Sequence, residues 1–168
     1  MSVDLHHMAM TVNGNHIELL VEGRRTLADV LREDLGLTGT HLACEHGVCG
    51  TCTVSLDGQA ARSCLMLALQ ADGCSVETIE SLAVDGELGP LQQAMADSHS
   101  FQCAFCAPGF LMTAHCLLAE NRALTRAEIR EELSGNLCRC TGYQSIVDGV
   151  EAAVAALAGS SREETHGA

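Results

Sequence analysis

Hydrophobic and polar positions alternate at the start of the chain, and the period then changes. Met8, Met10 and Val12 are spaced by two, as are Ile17, Leu19 and Val21. A period of two places one set of side chains on one face of a strand. Between the two runs lies Asn13-Gly14, a pair that tolerates positive φ and suits a two-residue hairpin turn. Thr26 can cap a short helix in which Leu27, Val30, Leu31 and Leu35 share one face, ended by Gly36. Val54 and Leu56 alternate with hydroxyls, Asp57-Gly58 is a second hairpin signal, and the chain from Gln59 to Cys64 pairs back. Val76 to Glu80 closes this half as a last strand. Hairpin, helix, loop, hairpin and strand in that order predict a β-grasp domain.

From there the period is helical. A helix is expected near Leu88 to Asp97, restricted by Pro90 to starting close to that residue. Ala107 to Glu120 is apolar nearly all round, which reads as a buried helix with Pro108 in its first turn and Asn121 at its end. Thr125-Arg126-Ala127-Glu128 is a capping box that starts another helix running to Gly135. Ile146, Val147, Val150, Val154 and Leu157 form a stripe on a last one. The expected class is α+β: residues 1–82 as the β-grasp domain, residues 83–159 as an all-α helical bundle, and residues 160–168 as a polar, flexible tail.

Cysteines change this picture most. Cys44, Cys49 and Cys52 are separated by four and then two residues, and Cys64 follows at a distance. That is the plant-type spacing for a 2Fe–2S cluster, in which each iron takes two thiolates. Gly47 and Gly50 let the loop turn tightly and bring backbone N–H groups to the sulfurs. A second set lies in the helical half: Cys103 and Cys106 just before the buried helix, and Cys138 and Cys140 between the last two helices. A helix N-terminus stabilises thiolates. Taken alone, this set suits a four-cysteine zinc site and an iron–sulfur cluster about equally, with two disulfides the least favoured option. Cys116 reads as a small buried residue, and Cys74 has no assigned role. His46 lies inside the first loop, where a Rieske-type ligand would sit, but four cysteines already complete that set. His6, His7, His41 and His115 show no metal-ligand pattern.

Composition narrows the classes. The net charge of −13, from 9 basic and 22 acidic residues, argues against a nucleic-acid partner. Aromatics are only 2%, so the core must be built from aliphatic side chains and methionine. No apolar run approaches the ~18 residues of a membrane span, and the first residues carry no basic region followed by an apolar one. A cytoplasmic location is therefore expected, and ten cysteines in such a chain read as thiols or metal ligands. No Ser-His-Asp set, phosphate-cradling loop or dinucleotide fingerprint is present, so no catalytic residue is assigned.

Three motifs together carry a resemblance over roughly residues 8–157: the set closed by Cys64, then Gln102-Cys103-Ala104-Phe105-Cys106-Ala107-Pro108-Gly109, then Gly135-Asn136-Leu137-Cys138-Arg139-Cys140-Thr141-Gly142-Tyr143. The chain resembles the iron–sulfur subunit of molybdenum hydroxylases, the xanthine oxidase family, including the small subunits of carbon monoxide dehydrogenase and of bacterial N-heteroaromatic oxidoreductases. It departs from the family's usual pattern at Ala104 and Ala107, where Gly and Thr are common. The resemblance implies a plant-type ferredoxin-like domain with one 2Fe–2S cluster and a helical domain with a second. It implies partners as well: a large subunit with molybdopterin, as the cytosine dinucleotide, and a medium subunit with FAD, in a dimer of heterotrimers. Gln102 and Cys140 would sit beside the pterin. Electrons would pass through the cluster of Cys103, Cys106, Cys138 and Cys140, then that of Cys44, Cys49, Cys52 and Cys64, to FAD. Arg139, between two ligands, would offset cluster charge or form an interface ion pair. The alternatives are a stand-alone two-cluster carrier and a zinc-stapled interaction module. The substrate site would belong to another chain.

Overall fold

The computed structural model describes residues 4–83 and 85–163, and beyond Leu157 only the helical course of the backbone. Strands β1 (Leu5–Val12) and β2 (Asn15–Glu22) pair in register from Leu5 against Glu22 to Val12 against Asn15. Asn13 at φ 49° and Gly14 at φ 79° make the turn, whose twist matches that of the strands. Met8, Met10 and Val12 point inward together. A second hairpin, β3 (Thr53–Leu56) and β4 (Gln59–Arg62), turns on Asp57 at φ 49° and Gly58 at φ 83°. β5 (Ser75–Glu77) lies between the hairpins, parallel to β1 and antiparallel to β3. The result is a mixed five-stranded sheet in the order β2-β1-β5-β3-β4. The expected closing strand is shorter than its sequence suggested: after Glu77 the chain enters a 3-10 turn at Ile79–Ser81.

One side of the sheet is covered by a helical segment that is not the regular helix its spacing predicts. The capping box forms, with Thr26 Oγ1 accepting from Asp29 N at 3.1 Å and Asp29 Oδ2 accepting from Thr26 N at 2.9 Å. The α-helix α1 lasts only from Leu27–Asp29, and Val30–Asp34 then widens into a π turn. Arg32 explains part of this, because its guanidinium donates to the carbonyls of Thr38 and Thr40, both at 2.7 Å, and ties the widened turn to the segment entering the first cysteine loop. Leu27, Val30 and Leu31 are buried with Met8, Met10, Val21, Val54 and Val76 in one aliphatic core.

The rest of the described chain is helical. α2 (Pro90–Asp97) begins on its proline, and α3 (Ala107–Ala119) is buried along most of its length. α4 (Arg126–Glu132) is capped by Thr125 and Glu128 and tightens into a 3-10 turn at Leu133–Gly135. α5 runs over Gln144–Glu163, so helix continues four positions into the segment expected to be a flexible tail; residues 164–168 lie outside the described ones. Ile146, Val147 and Val150 of its apolar stripe are buried against Met95, Phe110, Ile129 and Leu133, and Ala153 is buried as well. Leu157, the last residue of that stripe, is exposed. Gly149 lets α5 approach α2 closely, because a Cβ there would stand 3.0 Å from Met95 Cα. α3 touches β3 and β4 on one side and α2 on the other, so it belongs to both halves. No helix among the described residues is long and apolar enough to cross a membrane.

Candidate metal centres

The loop carrying Cys44, Cys49 and Cys52 has no regular secondary structure. Its path is set by left-handed residues: Glu45 at φ 53°, Gly47 at φ 86° and Gly50 at φ 72°. A Cβ on Gly50 would stand 2.5 Å from the Gly135 carbonyl oxygen, so only glycine fits there. The β3–β4 hairpin brings the fourth cysteine back: Thr53 is paired with Arg62, and Ser63 Oγ donates to the Cys52 carbonyl at 2.7 Å. Cys52 and Cys64 are buried together with Ala28. Cys44 and Cys49 are partly exposed, and the Cys49 N–H points at Cys44 Sγ at 3.4 Å. That N–H, with those of His46 and Val48, pulls the Cys44 thiol down to about 6. Burial pushes Cys64 up to about 11, with the neighbouring Cys52 adding to the effect. His46 turns its Nδ1 to the Cys44 carbonyl.

The second set is assembled from two chain segments. Cys106 is the N-cap residue of α3, and Cys103 lies one tight turn earlier. That turn holds Ala104 at φ 59°, a left-handed position where an L side chain is strained. Cys138 and Cys140 follow the 3-10 turn after α4. Their loop is braced by Tyr143, whose hydroxyl accepts from Cys138 N at 3.2 Å and whose ring stands edge-on to Phe110. Thr141 Oγ1 donates to Cys138 Sγ at 3.2 Å. Burial works against ionisation of Cys138, but Thr141 and the nearby N–H groups outweigh it and hold its thiol below the usual value. Burial pushes its neighbour Cys106 up to about 12, and Cys138 adds to this. Cys103 raises Cys140 in the same way. Cys103 Sγ and Cys140 Sγ are 3.6 Å apart. Two thiolates on one tetrahedral metal with bonds of about 2.3 Å would be about 3.7 Å apart, so the pair suits a shared metal.

Gln102 Nε2 donates to the Cys140 carbonyl at 3.1 Å, so the structure brings together the two residues the resemblance places beside a pterin. Arg139 is exposed and enters none of the ion pairs among the described residues. Cys116 is buried on α3, as expected. Cys74 stands before β5, away from both sets.

The two sets meet through residues that the pattern of cysteines did not single out. Leu137 N donates to the Cys49 carbonyl at 2.8 Å. The Phe105 carbonyl accepts from His41 Nδ1 at 2.8 Å and from Thr51 Oγ1 at 3.0 Å, and the His41 and Phe105 rings stack with centroids 4.9 Å apart. The Nδ1 nitrogen of His41 must carry the hydrogen, because a carbonyl can only accept. Arg62 donates to the Gly135 carbonyl at 2.7 Å and to Thr53 Oγ1. Asn136 is buried and bonded on both sides of the junction. Adjacency to a cysteine motif was the only sequence signal for Asn136, and Arg62 had none.

Comparison with known proteins agrees with this geometry. A 2Fe-2S iron-sulfur cluster binding domain matches residues 10–76, and a 2Fe-2S binding domain of a second family matches residues 78–151. The chain is 56% identical over 149 residues to the caffeine dehydrogenase subunit gamma of Pseudomonas sp. (strain CBB1), covering 87% of this chain and 89% of that one. It is 57% identical over 139 residues to the nicotine 6-hydroxylase small subunit of Paenarthrobacter nicotinovorans, covering 83% and 84%. Among solved structures, quinoline 2-oxidoreductase from Pseudomonas putida 86 superposes with a TM-score of 0.86 at 51% identity, over 90% of this chain and 95% of the matched chain. Two cysteine sets, two matched 2Fe–2S domains and these relatives place the chain in the family of small iron–sulfur subunits of molybdenum hydroxylases.

Proposed function

We propose that this chain is the electron-transfer subunit of a molybdenum–flavin–iron–sulfur hydroxylase, connecting a molybdopterin centre on a large partner to FAD on a medium partner. Cys44, Cys49, Cys52 and Cys64 would hold one 2Fe–2S cluster, and Cys103, Cys106, Cys138 and Cys140 a second. A bound 2Fe–2S cluster supplies one-electron redox chemistry. The observation that carries the reading is the pairing of the thiols. Cys103 lies 3.6 Å from Cys140, and Cys106 and Cys138 perturb each other's ionisation. Two thiolates per iron need pairs, whereas one zinc ion needs all four sulfurs at one point. In the first set Cys52 and Cys64 are paired in the same way, and the Cys49 N–H lies 3.4 Å from Cys44 Sγ.

The chain's own residues prepare these sites. Backbone N–H groups aimed at Cys44 and the hydroxyl of Thr141 at Cys138 hold one thiol of each set ready to ligate. Cys64 and Cys106 keep their protons until a metal displaces them. Gln102, fixed on the Cys140 carbonyl, would hold the exposed edge of the second site towards the pterin.

The same reading divides the chain into a β-grasp domain at 1–82 and a helical domain at 83–159. The separate aliphatic cores of the two halves support the division. The relatives act, by their names, on caffeine, nicotine and quinoline, all of which carry ring nitrogen, so an N-heteroaromatic substrate is proposed for the complex. The assembly is proposed as a dimer of heterotrimers in the cytoplasm. The test is metal analysis and EPR of the dithionite-reduced complex. Four irons per chain and two distinct 2Fe–2S signals are expected. One metal centre, or stoichiometric zinc, would refute the proposal.

A further inference from the structure

Asn136 bonds both sides of the junction between the two cysteine sets from a buried position. Asn136 is 1% exposed. Its Nδ2 donates to the Gly50 carbonyl at 2.9 Å, inside the first cysteine loop. Its Oδ1 accepts from Thr113 Oγ1 at 3.0 Å, on α3. The single hydroxyl hydrogen of Thr113 is shared between Asn136 Oδ1 and the Gly109 carbonyl, 2.9 Å away in the first turn of that helix. One amide thus spans the first loop, the helix that begins at Cys106, and the segment leading to Cys138.

Everything around this amide is built for close approach. A Cβ on Gly109 would stand 2.8 Å from Thr51 Cα and would also strike the Gly50 carbonyl oxygen. A Cβ on Gly50 would stand 2.8 Å from Asn136 Nδ2, and one on Gly135 would stand 2.7 Å from the Arg62 guanidinium. At Gly109 backbone therefore lies directly on backbone, with no side chain at that contact able to slip and absorb a shift. The residue after Asn136 is Leu137, whose N–H bonds the Cys49 carbonyl. A movement of Asn136 would pass straight to that hydrogen bond and to the Cys138 loop.

We infer that Asn136 is a positioning residue for electron transfer between the two clusters: it fixes their separation and relative orientation by bonding the Gly50 carbonyl and Thr113 at once. The inference rests on the two-cluster reading proposed above. A purely apolar junction could supply the same packing but not the directionality. An amide with both ends satisfied across an interface allows only one register, and a buried unpaired end is costly.

The test uses the assembled, iron-loaded complex with Asn136→Asp and Thr113→Val. Asn136→Asp keeps the shape but turns an acceptor onto the Gly50 carbonyl. Thr113→Val leaves Asn136 in place and removes its second partner. Two readouts are taken: the spin–spin splitting between the reduced clusters by low-temperature EPR, and the inter-cluster transfer rate after pulse-radiolytic reduction. Both variants are expected to retain both cluster signals with unchanged g-values. The splitting should change and transfer should slow severalfold in Asn136→Asp. Thr113→Val should move both readouts the same way by less. If Asn136→Asp fails to hold its clusters, Thr113→Val decides alone. Splitting and rate unchanged from wild type, with both clusters loaded, would overturn the inference and leave the two-cluster reading intact. A wild-type complex lacking two 2Fe–2S signals would overturn both.

Discussion

At the scale of single residues, backbone conformation gives a departure from the family pattern an energetic cost. Ala104 stands where glycine is common, and it is held at φ 59° between Cys103 and Cys106. An L residue in the left-handed region costs roughly 1–2 kcal/mol, which the extra chain entropy of glycine offsets in part. Ala104→Gly should therefore stabilise the loaded protein by about 0.5–1 kcal/mol, read as a rise in thermal midpoint of a few degrees. A fall in the midpoint would show that the turn is not strained. Cys116 offers a pH test. Burial raises its thiol above the ordinary value, with the hydroxyl of Ser55 opposing. The unfolded thiol ionises near its usual value and the folded one only at higher pH, so this contribution is complete below about pH 8.5 and is lost as the pH rises through the folded value. Cys116→Ala should flatten the loss of stability between pH 8 and 10 in urea titrations. A variant whose stability falls as steeply as wild type would contradict this.

At the scale of elements, caps and turns behaved as local chemistry dictates. Thr26, Thr125, Asn13-Gly14 and Asp57-Gly58 all sit where the sequence put them, because each satisfies its own backbone within four residues. Thr125→Ala should cost about 1 kcal/mol, the usual loss for an N-cap hydroxyl, and should raise amide exchange in the first turn of α4. Exchange unchanged there would mean that packing of Ile129 alone holds the helix. The first helical segment was different. Its apolar spacing fits a regular helix equally well, and the π turn at Val30–Asp34 accompanies Arg32 reaching the carbonyls of Thr38 and Thr40. No apolar periodicity reports such a side-chain tie. Likewise β5 stops at Glu77 because only Ser75 to Glu77 find partners on β1 and β3.

At the scale of the whole molecule, the two cysteine sets are independent in ligands and coupled in structure. Cys52→Ser should remove one EPR signal and about two irons per chain while sparing the other signal, and Cys103→Ser should do the reverse. Loss of both signals from either variant would mean that the sets do not assemble separately. Stripping the iron should also lower stability, because a preformed metal site contributes its binding free energy to folding. The thermal midpoint of the chelator-treated chain, measured against the loaded one, checks this. An unchanged midpoint would place the stability wholly in the two aliphatic cores.

The sequence alone determined the hairpins, the caps, the buried helix and the family, because these are written in spacing and in contacts between near neighbours. The tertiary structure decided what lies between the two cysteine sets. Gly50 reads as a turn residue and Gly135 as a helix end, and Asn136 lies within the third motif with no role of its own. Only the fold brings Gly50, from the first loop, against Gly109 on α3 and against Gly135 and Asn136 ahead of Cys138. Contacts between segments so far apart depend on how the sheet and α3 pack, and no local pattern of residues encodes that.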